Sequence, residues 1–296
     1  MISHPYYAKL LLWGEHIVIH GAQALATPLP AFSGHWVQTA AGDEERLLPF
    51  LAYLYREGME KWLDLRAFEE KVTAGLAFAS NIPGGYGLGS SGALCAAIYD
   101  AFARDKIERG DTSRYLELKS LLGRMESFFH GSSSGIDPLI IYLNRSVLLD
   151  AKGVQTLDWQ LPGEESAFRF FLLDTGLQRQ AGDFIHYFLE QSKQPSFGNV
   201  LEKVLLPANE SAIEQTLNHS YASLMTVFDE ISAFQLNFLP GLIPPGFTAV
   251  WKKGLEADLF KLKVCGAGGG GFVLGFTPDF PTTRAYLSDF PLILLG

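Results

Sequence analysis

Apolar and polar positions along the chain change period several times, and the changes predict a mixed α and β protein. Residues 8–13, AKLLLW, and 17–19, IVI, read as buried strand, punctuated by Gly14 and by Gly21 and Ala22. Leu47, Leu51, Leu54 and Tyr55 recur at helical spacing and predict a helix over 44–63. The segment 78–82 runs into Pro83-Gly84-Gly85. From Ser90 the pattern turns helical, with Leu94, Ala97, Ile98, Ala101 and Phe102 on one face. A second helix near 112–129 has Thr112 or Ser113 as its cap and Leu118, Leu121, Leu122, Met125 and Phe129 as its apolar set. A Gly/Ser loop at 130–135 then leads to an apolar segment, 138–149.

The polar-leaning stretch 151–166, with Pro162-Gly163, marks a soft boundary and divides the chain into 1–160 and 161–296. Beyond it the pattern predicts a strand at 168–174 and helical segments near 182–192 and 208–239. Strand returns around a second glycine cluster, 266–271, followed by a short helix near 281–289 and a terminal apolar run. Strands alternate with helices in both halves, and 296 residues suit two domains.

Composition narrows the function classes. An apolar share of 48% with 19% charged residues is that of a packed globular chain, which excludes disorder, collagen and coiled coil. The net charge of −9 shows no basic excess of the kind that neutralises nucleic-acid phosphates. Two cysteines, Cys95 and Cys265, make neither a disulfide framework nor a zinc cluster. No run approaches the ~20 apolar residues of a membrane helix, and no leader pattern opens the chain. A soluble, cytoplasmic protein is expected.

Three segments carry candidate chemistry. The first is Pro83-Gly84-Gly85-Tyr86-Gly87-Leu88-Gly89-Ser90-Ser91-Gly92-Ala93. Glycines at this density allow close backbone approach and positive φ. Directly before a helix, they direct free N–H groups and the helix dipole at one point, which suits a polyphosphate. The serines add hydroxyls for a phosphate oxygen or Mg²⁺. A plain strand–helix turn would look similar; a Walker A loop is excluded because its lysine is missing. The second is Ala8-Lys9-Leu10-Leu11-Leu12-Trp13-Gly14-Glu15-His16. A lysine inside an apolar strand is costly unless it meets an anion; alternatively Lys9 lies at an exposed strand start and reaches water. His16 and His20 are spaced to share a strand face, with no third metal ligand at recognisable spacing. The third runs from Glu126 through His130 and Gly131 to Gly135, Ile136 and Asp137. Its carboxylates can serve a metal and a base, or be a surface Glu and a capping Asp.

These segments in this order, together with Cys265-Gly266-Ala267-Gly268-Gly269-Gly270-Gly271, resemble the galacto-, homoserine, mevalonate and phosphomevalonate kinase (GHMP) superfamily. The nearest likeness is to its mevalonate kinases, through KLLLWGEHIVIHG, GYGLGSS, the E-x3-HG-x3-SGID pattern and CGAGGGG. The resemblance implies a two-domain α+β fold: an N-terminal α/β domain, a C-terminal ferredoxin-like domain and an active site between them. It implies ATP and Mg²⁺ as cofactors and a small-molecule alcohol as substrate, first of all mevalonate, converted to 5-phosphomevalonate in isoprenoid biosynthesis.

Carried over residue by residue, Gly85, Gly87, Leu88, Gly89, Ser90 and Ser91 would cradle the ATP phosphates, and Ser80 would add a nucleotide contact. Ser91 and Glu126 match the Mg²⁺ ligands; Asp137 matches the proposed catalytic base and Lys9 the lysine beside it. Glu15, His16, Arg179 and Gly268 fall on the substrate side, and His130 reads as a structural histidine holding the aspartate loop. The family also suggests a homodimer. Three positions depart from the pattern: Ala181 stands where a threonine is expected, Pro138 where an asparagine follows the aspartate, and Gly92 where the phosphate loop has alanine. Two alternatives therefore stay open: a kinase of this type acting on phosphomevalonate, the mevalonate 3-hydroxyl or a sugar, and a non-catalytic sensor of ATP and a metabolite on the same scaffold.

Overall fold

The computed structural model describes residues 4–40, 42–178 and 181–296. Two compact units are built from discontinuous pieces of chain. The first takes the chain up to Lys9, then Pro28–Pro83 and Leu88–Arg145; the second takes Leu10–Thr27, Gly84–Gly87 and Ser146–Gly296.

Two strands open the chain, β1 (Tyr6–Trp13) and its neighbour β2 (Ala24–Gln38). The expected strand at 17–19 is instead a 3-10 turn, Ile17–His20. Gly14 at φ 102° and His16 at φ 65° turn the backbone out of the extended form, and Gly21 at φ 82° closes the turn. Pattern reading did not predict β2. Besides its pairing with β1, it is paired through 34–38 at one end and 24–26 at the other. Pro28 and Pro30, which cannot donate to a ladder, lie between these two ends and interrupt the alternation.

In the first unit the predicted 44–63 helix ends earlier, as α1 (Glu44–Arg56), and α2 (Leu65–Thr73) follows. Leu47, Phe50, Leu51 and Leu54 bury the inner face of α1. The strand β3 (Leu76–Ser80) pairs antiparallel with 34–38 of β2. The helix α3 (Ser90–Phe102) is buried on nearly every side from Gly92 to Asp100, while Ala101, expected on its apolar face, is exposed. Small residues, Gly92, Ala93, Ala96 and Ala97, let neighbouring helices approach it closely. Its buried Asp100 is satisfied by Tyr6, Lys106 and Arg109. The helix α4 (Tyr115–His130) buries Leu118, Leu121, Leu122 and Met125; neither Thr112 nor Ser113 caps it, for both lie in a short 3-10 turn before it. The apolar segment 138–149 divides into α5 (Ile136–Leu143) and a strand, because Asn144 adopts φ 50° and ends the helix.

In the second unit that strand, β4 (Ser146–Asp150), makes a hairpin with β5 (Gly153–Leu157) inside the supposed boundary stretch. It also pairs with 24–26 of β2. The chain continues as β6 (Arg169–Asp174), α6 (Ala181–Ser192) and α7 (Pro195–Val200), and a π-wound turn, Leu201–Leu205, runs into α8 (Leu206–Leu217). His219 at φ 55° separates α8 from α9 (Tyr221–Phe238), so the expected 208–239 helix is two. There follow α10 (Thr248–Ala257), β7 (Lys261–Val264), β8 (Phe272–Thr277), α11 (Phe280–Tyr286) and β9 (Leu292–Leu294). The order β7-β8-β6-β9 is antiparallel throughout, and the succession strand, helices, two strands, helix, strand is the split βαβ arrangement of ferredoxin-like domains.

Gly275 shows how tightly the second sheet is packed. It pairs with Phe171, and a Cβ on it would stand 2.1 Å from that ring. Gly275→Ala is expected to lower stability by about 1–3 kcal/mol in denaturant unfolding. Adding Phe171→Leu should return part of that loss; an unchanged midpoint for the single variant would contradict this packing.

Candidate active site

Lys9 lies in β1 with its side chain buried, and a buried ammonium needs an anion. Asp137, in the first turn of α5, supplies it at 2.9 Å from Nζ to Oδ1. The partners differ in exposure, 6% for the lysine side chain against 34% for the aspartate. The lysine is thus the buried support and the carboxylate the accessible face.

Glycine permits the surrounding approach. The Lys9 N–H donates to the Leu88 carbonyl at 3.0 Å, which fixes the loop on the strand. Gly89, at φ 79°, caps α3; a Cβ there would meet Ile141 Cδ1 at 2.9 Å and Lys9 Cγ at 3.3 Å. A Cβ on Gly92 would come within 2.9 Å of the Pro138 nitrogen and 3.3 Å of Asp137 Cβ. Two departures from the family pattern, Gly92 and Pro138, are therefore in contact, the missing methyl of one making room for the other. The first turn of α3 lies against the aspartate. Its N–H groups lack intrahelical acceptors, and the positive end of its dipole favours an anion there.

Beside this pair, Ser91 Oγ donates to Glu126 Oε1 at 3.0 Å, and Ser133 Oγ donates to Glu126 Oε2. His130 Nε2 lies 3.0 Å from Ser91 Oγ. A hydroxyl has one proton; with it given to Glu126, Ser91 accepts from His130. The histidine thus holds Ser91. Burial, and after it the Asp137 charge, push the Glu126 carboxyl up to about 7, against the pull of Ser133, Ser91 and Lys9. A carboxylate so placed gains from a cation. A hydroxyl and a carboxylate from two helices are the hard oxygen donors Mg²⁺ takes while keeping water and phosphate oxygens elsewhere. Among the described residues no group of three or more His, Cys, Asp and Glu is arranged to hold a metal.

Other expected residues lie in the second unit. Gly85 and Gly87 have φ 78° and 77°. Glu15 is buried against the ammonium of Lys263, which also donates to the Val264 carbonyl at 3.0 Å. The His16 ring stacks on Phe188 at 5.0 Å, and His20 lies 5.9 Å from the same ring. A cavity of about 20 Å³, room for one water, is lined by Glu15, His16, Gln235 and Lys263 among others. Gly268 packs on Leu242, whose carbonyl a Cβ would approach to 2.8 Å. In the first unit, Ser80 Oγ accepts from the Ile82 N–H at 3.1 Å and shapes the exit of β3. Arg179 lies outside the described residues. Sequence reasoning missed Ser133 and Lys263. The first is hidden in a run of serines; the second carries the same signal as Lys9, a lysine within an apolar strand.

The Glu126 shift has a sign that can be measured. Its folded value lies above the ordinary 4.5. The native state therefore keeps a proton that the unfolded state has lost between about 4.5 and 7, and stability falls as pH rises through that window. With a chelator present, Glu126→Gln should gain stability over the parent protein across it, on the order of a few kcal/mol by pH 8. Unfolding curves at pH 5 and pH 8 read the difference, and a gap independent of pH would contradict the burial argument.

The family model for the GHMP kinases N terminal domain matches residues 54–145. The mevalonate kinase of Dictyostelium discoideum is 22% identical over 363 aligned residues, covering 99% of this chain and 91% of that protein. The structure of Streptococcus pneumoniae phosphomevalonate kinase with phosphomevalonate and AMPPNP superposes with a TM-score of 0.66 at 16% identity, covering 100% of this chain and 99% of that one. That of L. major mevalonate kinase with R-mevalonate gives 0.64 at 12% identity, over 97% and 90%. Residues 54–145 are thus similar to the N-terminal domain of the GHMP kinases, and the chain shares the α+β fold of these solved structures.

Proposed function

We propose that the protein transfers the γ-phosphoryl group of ATP to the hydroxyl of a small-molecule alcohol, with mevalonate, giving 5-phosphomevalonate, as first acceptor. The observation that carries this reading is the Lys9–Asp137 pair set against the first turn of α3. Phosphoryl transfer asks a protein mainly for positioning and for stabilisation of spread negative charge. The loop from Gly85 to Ser91 offers backbone N–H groups and hydroxyls to the phosphates, and Ser80 lies at the exit of β3 for a further nucleotide contact. The accessible carboxylate of Asp137 orients the acceptor hydroxyl and takes its proton as the new oxygen–phosphorus bond forms. Lys9 steadies the charge that develops on the oxygen. Ser91 and Glu126 would hold Mg²⁺, which when bound offsets the charge of the phosphate oxygens. On the acceptor side His16 and Arg179 offer polar contacts, Arg179 with a fork suited to a carboxylate. Glu15 acts through its bond to Lys263 by fixing the turn that carries His16, and Gly268 keeps the second glycine run close to Leu242. The setting of the reaction is the cytoplasm; among the described residues no helix is long and apolar enough to cross a membrane.

A second acceptor within the same chemistry has support of its own. Ala181 lacks the hydroxyl expected near mevalonate, and one structural neighbour is a phosphomevalonate kinase. An ADP-release screen over mevalonate, phosphomevalonate, homoserine and several sugars separates these readings. Release with none of them would reject the kinase reading in favour of a sensor.

With the best acceptor, Asp137→Asn should keep nucleotide affinity within about twofold and lose at least about 100-fold in turnover; undiminished turnover rejects the aspartate's role. Ser91→Ala should shift the Mg²⁺ titration to higher concentration, and superimposable titrations reject the metal assignment.

A further inference from the structure

The tip of the glycine loop, Gly84–Gly87, belongs to the second unit, whereas Leu88 and the residues after it belong to the first. Tyr86 is the side chain that anchors the tip. Its ring meets Phe272 edge-on, with centroids 4.9 Å apart and planes at 65°. Its hydroxyl lies beside the Asp174 carboxylate, whose charge, after burial, pushes the phenol pKa up. Asp174 and Phe272 are cross-strand partners, the last residue of β6 and the first of β8. Tyr86 thus covers the end of this ladder, its ring on Phe272 and its hydroxyl beside Asp174.

The backbone around it is fitted to the same contact. Gly271 adopts φ 71°, and a Cβ there would stand 2.9 Å from Tyr86 Cα. The Gly271 carbonyl accepts from the Thr175 N–H at 3.1 Å and from Thr175 Oγ1 at 2.7 Å, and its own N–H donates to the Leu177 carbonyl at 2.6 Å. The loop tip, the second glycine run and residues 174–177 are laced at one point.

A loop with positive φ at residues 85, 87 and 89 is costly to order, because glycine loses more backbone freedom than any other residue. An anchor between two of those glycines meets that cost before a ligand arrives. Resting on the phosphotransfer reading above, we propose that Tyr86 is a positioning residue: it holds the glycine loop in its phosphate-binding form and links that form to residues 174–177, which lead to Arg179. Nucleotide affinity then depends on a side chain whose ring is packed on Phe272 at the end of the β6–β8 ladder. Acceptor binding at the linked segment should also strengthen nucleotide binding.

The test uses the full chain and AMPPNP titrated by calorimetry, with and without the acceptor found by the screen. Tyr86→Ala is expected to weaken AMPPNP binding about tenfold, with KM for ATP rising in parallel while kcat at saturating ATP changes less than about twofold. Tyr86→Phe keeps the ring and loses the hydroxyl, and should weaken binding about two- to threefold. Acceptor should tighten AMPPNP binding in the parent protein and do so less in Tyr86→Ala. A folded Tyr86→Ala with the parental dissociation constant overturns the proposal, as does a lowered Tm with unchanged affinity, which would mark a purely structural contact. If Tyr86→Ala does not fold, Tyr86→Phe decides, and parental affinity there overturns it. No AMPPNP binding by the parent protein itself would overturn the phosphotransfer reading and this proposal together, a result distinct from a loss confined to the variants.

Discussion

A lysine ammonium inside a strand must be met by an anion before that strand can be buried, because desolvating an unpaired charge costs more than the surrounding apolar contacts return. Much of the first unit's geometry follows from meeting Lys9. The anion is Asp137, so the start of α5 has to lie beside β1. For that, the residues between them must be small. Gly89 and Gly92 are the two positions where a methyl group would strike Ile141, Lys9 or the Asp137–Pro138 backbone. The same two glycines bring the unsatisfied N–H end of α3 against the aspartate. An anion site and a carboxylate thus stand together because one buried cation drew their elements into contact.

The metal-type cluster extends this logic with a different balance. Glu126 has neutral donors in Ser91 and Ser133 and only a distant share of the Lys9 charge, while Asp137 opposes its ionisation. Two carboxylates and one ammonium leave the locality short of positive charge. A divalent cation and the positive end of α3 would correct that shortage, whereas a bare polyphosphate would deepen it. On the proposed reading nucleotide and metal would enter together, and the Ser91–His130 bond would hold the hydroxyl in place beforehand.

How far the sequence discloses this depends on whether a signal is local. Gly85, Gly87 and Gly89 with the following serines are legible because density of glycine before a helix has few other uses. Lys9 is legible because its cost is visible within six residues. The pairing of Lys9 with Asp137 is not local, and only the family resemblance linked them before the structure did. The 17–19 segment misled for the opposite reason: three β-branched and apolar residues read as strand, but the turn is set by Gly14, His16 and Gly21 on either side. In β2 the prolines hid a strand whose two ends answer to different partners. The contact between Gly92 and Pro138 was present in the sequence as two separate departures, and nothing along the chain says that they compensate.

The chain contains a second ion pair of the same make, and the two differ in the exposure of the acidic partner. Lys263 in β7 and Lys9 in β1 are both lysines within apolar strands, and each is answered by one carboxylate. The Glu15 side chain is only 3% exposed, and its partner 2%. Removing either would strand the other in a dry interior at about 3–5 kcal/mol, a structural sum. Asp137 keeps a third of its surface open while its lysine stays closed. On the proposed reading an incoming hydroxyl could reach the aspartate without breaking the ion pair, and the ammonium would stay in place to balance the charge the oxygen acquires. Residue type does not distinguish the two pairs; exposure of the acidic partner does, and that quantity is set by the tertiary fold, not by the motif.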